Sequence, residues 1–147
     1  MLRKALSLGL VLVLVTSVTA ASAQQVTVTV IQVRASNEGE KHVDPALGGL
    51  GKRLQRTYPY KNYKLVGSQT LAGKIGGKLN FALQGGMAMA LGLTGYVAPM
   101  VSMRVVVTRG GTQVMNSDLR VGSRRPLILS FPWGVNRLIV VITPTVR

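Results

Sequence analysis

From Val26 onward, apolar positions recur mostly every second residue. Val26-Thr-Val-Thr-Val30 alternates strictly and is rich in β-branched side chains, which pack well on a pleated, half-buried surface. Ile31 and Val33 shift the apolar parity by one, which predicts a bulge or burial on both faces. Tyr63–Val66 and Gln69–Leu71 read as strand, Gly76-Gly77 as a turn, Lys78–Leu83 as an alternating strand and Gly85-Gly86 as another turn. Met87, Met89, Leu91 and Leu93 alternate with Ala88, Ala90, Gly92 and Thr94, and this period favours strand over an apolar helix. Val101, Met103, Val105 and Val107 share one face, and Arg109-Gly-Gly-Thr112 signals a hairpin. Gln113–Met115 and Leu119–Val121 read as strands with Asn116-Ser-Asp118 as a turn between them; Pro126–Phe131 and Arg137–Thr143 complete the set. Leu138–Ile142 is apolar at every position, as a central strand buried on both faces would be.

One segment breaks this period. Asp44 is a good N-cap and Pro45 a good first helical residue. Leu47, Leu50 and Leu54 follow at i, i+3 and i+7, one face of a helix. Gly48, Gly49 and Gly51 each weaken that helix by about 1 kcal/mol relative to alanine. It must therefore be held by docking its leucine edge on a sheet, which the glycines let it approach closely.

Eight or nine short strands and one helix predict a mainly β chain: an antiparallel β-sandwich or small barrel-like domain, with one α-helix near the N-terminus of the mature chain. No repeat or linker divides residues 24–147, which read as a single β-rich domain. An outer-membrane barrel fits less well. Aromatic residues make up only 5% of the chain, too few for two interfacial girdles, and the chain ends in Thr145-Val-Arg147 without a terminal aromatic.

The first residues have a different character. Arg3 and Lys4 precede the apolar run Leu6–Val18, and Ala21-Ser22-Ala23 supplies the small-x-small pattern of a cleavage site. Residues 1–23 read as a signal peptide, with an uncleaved anchor as the alternative, because the run is short beside the roughly 20 residues that a spanning helix needs. Cleavage near Ala23 makes the mature protein periplasmic or secreted. No other apolar stretch is long enough to span a bilayer as a helix. With no cysteine in the chain, a lipoprotein anchor and disulfide staples are excluded, so the fold rests on burial alone.

Charge narrows the partners. The chain carries a net +14 with only four acids, and removal of the leader, which takes away Arg3 and Lys4, still leaves +12. Such a surface favours polyanions, and export places anionic lipid, lipopolysaccharide and acidic glycans ahead of nucleic acid. The densest cluster is Lys52–Lys64. Lys52, Arg53 and Arg56 would form the outer helix face, followed by Tyr58, Tyr60, Lys61, Tyr63 and Lys64 in an extended segment. Cations beside flat rings suit phosphate or sugar ligands; the plainer reading is a solvated helix face followed by half-buried tyrosines. Arg124-Arg125 is a smaller cluster in a turn, and Arg104, Arg109 and Arg120 would make a basic strip if their strands pair.

Three of the four acids share one loop, Asn37–Leu47, with the only histidine. Glu38, Glu40, His42 and Asp44 alternate, so an extended strand would project all four toward one cation. Asp44 as a helix cap leaves Glu38, Glu40 and His42 as a thin ligand set in a flexible, glycine-containing loop. Catalysis lacks parts: there is no thiol, no nucleophile elbow and no separated carboxylate pair, and nothing singles out a Ser/Lys dyad. The chain reads as a non-enzyme without a cofactor.

Two stretches resemble known proteins. "VDPAL" with helically spaced leucines and then "YKLVGSQTL" (Val43–Leu71) resembles small exported bacterial β-domain proteins of unassigned function. "RLIVVITPTVR" is similar to the closing strand of the secretin β-domain, with the aliphatic run into Thr-Pro at Leu138–Pro144. The ring-forming periplasmic domains of secretins are missing, and the chain is too short for a pore subunit. The resemblances imply a structural or interaction module of the envelope, with an envelope protein partner and a place beside a secretion assembly. The alternative from charge is a basic polyanion-binding protein.

Overall fold

The computed structural model describes residues 24–147. The signal-peptide reading of residues 1–23 lies outside them. In chain order the elements are β1 (Gln25–Ser36), β2 (His42–Val43), a 3-10 turn (Pro45–Leu47), α1 (Gly49–Thr57), β3 (Asn62–Lys74), β4 (Lys78–Leu83), β5 (Met87–Val97), β6 (Met100–Arg109), β7 (Thr112–Gly122), β8 (Leu127–Trp133) and β9 (Asn136–Val146). They form two open sheets, a five-stranded one ordered β2-β3-β1-β9-β8 and a four-stranded one ordered β4-β5-β6-β7. All pairings are antiparallel except the short one of β2 with β3. The expected sandwich with a single helix is the architecture of the described residues, and neither sheet closes into a barrel.

Strand parity decides what faces the core. Val26, Val28 and Val30 of β1 and Leu138, Val140 and Ile142 of β9 face the four-stranded sheet, meeting Phe81, Met89, Leu91, Met103 and Val105. The alternate residues Ile31, Val33, Ala35, Ile139 and Val141 face outward under α1 in a second cluster with Leu54 and Tyr63. The parity change at Ile31 and Val33 is thus burial on both faces. β1 keeps an unbroken register with β9, and the irregular residue lies on β3, where Gln32 pairs with Gly67 but Val33 pairs with Leu65. Leu138–Ile142 is buried throughout and paired on both sides, as an inner strand must be.

The glycine turns carry the hairpins and the crossover. Gly110 and Gly111 take φ of 55° and 80°, the pair of positive values that a type I′ hairpin requires. At Gly76-Gly77 the chain leaves β3 and hooks onto the other sheet: Gly76 N–H donates to Leu93 O at 2.7 Å, and Leu93 N–H donates to Gly77 O at 2.9 Å.

Several expected boundaries shift. Asn116-Ser-Asp118 is no turn; it lies inside β7, where Asp118 pairs across the ladder with Arg104. The stretches around Tyr63 and Gln69 join into one bulged β3. The helix begins later than Pro45: Asp44 caps only the 3-10 turn, and Gly48 at φ 54° redirects the chain into α1.

Candidate functional site

The cationic cluster is built on α1. Leu54 is wholly buried against the outer sheet face, worth about 2–3 kcal/mol of hydrophobic stabilisation. Gly51 makes the docking close: a Cβ there would lie 2.7 Å from Val43 Cγ1. With this edge inward, Lys52, Arg53 and Arg56 are exposed.

The end of α1 is fixed by Tyr63. Its ring is completely buried, its hydroxyl donates to Tyr58 O at 2.8 Å, and Leu54 O lies 3.3 Å away. The same oxygen accepts from Tyr60 N–H at 3.3 Å. Burial pushes the phenol above its ordinary range; the Tyr60 N–H bond opposes this, and charge repulsion from the Tyr60 and Tyr58 phenols adds to it. Tyr63 is therefore no stacking surface, which corrects its place among the ligand-facing rings. Packing against sheet and helix gives it the role of a latch instead.

Lys52, Arg56, Tyr58 and Tyr60 line one concavity of about 400 Å³, together with Lys41, Gln55 and Pro59. No acid lines it. Tyr58 and Tyr60 are half-buried, one side on the helix cluster and the other open. The remaining expected residues are elsewhere. Arg53 borders a separate groove with Arg124, Lys64 lies in a third concavity, and Lys61 is exposed outside all three. Lys41 was not singled out from the sequence. It joins the cluster because β2 runs parallel beside β3, a pairing that the linear pattern does not signal.

The third concavity, about 480 Å³, contains Glu38, His42 and Asp44 with Arg34, Ser36, Asn62 and Lys64, while Glu40 does not line it. Gly39 at φ 73° bends the chain between the two glutamates, so this stretch is no extended strand and their alternation does not put them on one face. Among the described residues no three His, Asp or Glu side chains converge on a cation position. Asp44 is occupied by backbone: Oδ1 accepts from Ala46 N–H at 3.0 Å and Oδ2 from Leu65 N–H at 3.2 Å. These two bonds, Ala46 first, hold its carboxyl below the usual carboxylate range, and the nearby His42 and Lys64 charges add to the effect.

The basic strip forms only in part. Arg104 and Arg120 lie on the outer face of the four-stranded sheet, where Arg104 meets Asn116 at 3.1 Å and Asp118 at 4.0 Å. Arg109 instead turns to Pro132 O and the Met87 sulfur.

Comparison with protein-family models, curated proteins and solved structures gave no match, so the reading of this chain rests on its own residues.

Proposed function

We propose that the protein is a non-catalytic interaction module, exported to the periplasm or beyond, that binds an anionic polymer of the cell envelope. The observation that carries this reading is the acid-free concavity in which Lys41, Lys52 and Arg56 stand beside the open sides of Tyr58 and Tyr60. Cations attract phosphate, carboxylate or sulfate groups, and the rings offer flat surface for a sugar. The use of Asp44 as a backbone acceptor, and of Asp118 beside Arg104, supports a non-catalytic reading of the acids.

Titration with lipopolysaccharide and with an acidic glycan tests this. Affinity should fall steeply as salt rises, because binding releases condensed counterions. Lys52→Glu with Arg56→Glu should abolish most of it while the far-ultraviolet spectrum stays unchanged. Absence of binding at low salt defeats the proposal.

A second reading, a protein partner in a secretion assembly, draws on the edge strand β7. It pairs only with β6 and exposes Val114, and such an edge can accept a strand from another chain. In-envelope crosslinking through β7 that captures no partner would remove it.

A further inference from the structure

The groove bordered by Arg53 differs in kind from the cationic concavity. It runs between the start of α1 and the outer face of the five-stranded sheet, with a volume of about 280 Å³. Its floor is apolar: Ile31 from β1, Val141 from β9 and Leu50 from α1. Its rim carries two exposed guanidiniums, Arg53 and Arg124, and no acid lines it. Among the described residues neither arginine has a carboxylate within 4.0 Å.

Arg124 is held there against its own backbone preference. It is the one non-glycine among the described residues at positive φ, 65°, in the turn that carries the chain from β7 to β8. Its N–H donates to Pro144 O at 2.7 Å, a bond that glycine at this position would make equally well. The turn thus uses the Arg124 backbone and leaves its guanidinium to the groove.

We propose that this groove takes the phosphate and one acyl chain of an anionic phospholipid. The guanidiniums of Arg53 and Arg124 hold the phosphate, and Ile31, Leu50 and Val141 lie along the chain. A carboxylate has two oxygens, which one bidentate arginine can occupy, whereas a phosphate monoester has three terminal oxygens, enough for two arginines, which favours a lipid of the phosphatidic acid type over a fatty acid. This inference stands apart from the polymer reading, because it uses other residues and needs an acyl chain.

The test is calorimetric titration of the protein, purified as its host produces it, with lysophosphatidic acid below its micelle concentration. Glycerol phosphate and a monoacylglycerol of the same chain length serve as probes of head and chain alone. Lysophosphatidic acid should bind at least about tenfold tighter than either, with methyl resonances of Ile31, Leu50 and Val141 shifting on binding. Arg53→Gln and Arg124→Gly should each weaken binding by about tenfold, as loss of a charge-assisted bond does. Arg124→Gly should do so with its melting temperature unchanged or raised, which separates lost binding from lost folding. Equal affinity for glycerol phosphate, undiminished affinity in Arg124→Gly, or shifts confined to Tyr58 and Tyr60 would each overturn the proposal; the last would leave the polymer reading standing.

Discussion

The hydroxyl of Tyr63 donates to the carbonyl of Tyr58 at 2.8 Å, and this contact ties the last turn of α1 to the strand that follows it. The bond positions the segment that presents Tyr58 and Tyr60 to solvent. Tyr63→Phe should lower stability by about 1 kcal/mol, seen as an earlier urea midpoint. It should also weaken polymer binding, because the carbonyl of Tyr58 loses its fixed donor. The buried phenol sits above its ordinary value of 10.0, so its contribution is full below that value and is lost as pH rises past it. Base titration of stability should therefore be less steep in Tyr63→Phe than in the parent.

Asp44 gives the opposite pH behaviour. Its carboxylate continues the ladder where β2 ends: Asp44 N–H donates to Tyr63 O at 2.9 Å, and Oδ2 then receives Leu65 N–H. With the folded carboxyl below its ordinary value of 3.8, the stabilisation is present above that value and is lost as pH falls below it. Asp44→Asn should be less stable at neutral pH and should lose this part of the acid dependence. An unaltered acid transition would count against the assignment.

The two sheets are pinned by Gln32, which is 5% exposed among the inner valines of β1. Its Oε1 accepts from Gln84 N–H at 2.8 Å, and its Nε2 donates to Ala82 O at 3.2 Å. Gln32→Leu would leave both backbone groups without this partner, at a cost of about 1–3 kcal/mol. Amide exchange at Gln84 should accelerate before that of the β1 valines.

Two glycines of α1 should respond oppositely to alanine. A methyl at Gly49, the first residue of α1, meets nothing within 4 Å, so Gly49→Ala should stabilise by up to about 1 kcal/mol, the Gly-to-Ala difference of a helix interior. A methyl at Gly51 would stand 2.7 Å from the branched, rigid Val43, so Gly51→Ala should destabilise by about 1–3 kcal/mol through overpacking. Thermal melts of the pair check both signs. A stabilised Gly51→Ala would show that α1 is not pressed onto β2.

Much of the sandwich was legible because side-chain alternation is a local property. Val26 to Val30, Met87 to Leu93 and the two-faced Leu138–Ile142 each announce which side is buried before any strand has a partner, and Gly110-Gly111 announces its own turn. Asn116-Ser-Asp118 misled because three successive polar residues have the composition of a turn, whereas in β7 Asn116 and Asp118 lie on the open face and Ser117 takes a core-side position opposite Val105. Residue order alone was enough for the strand periods, the helix after Asp44 and the excess of cations. That Tyr63 is a buried latch, that Lys41 joins Lys52 and Arg56, and that Arg53 instead shares a groove with Arg124 emerged with the packing of the fold. Those outcomes depend on which strands pair and on which side of the sheet α1 lies. Contacts between residues far apart in the chain leave no trace in its local pattern.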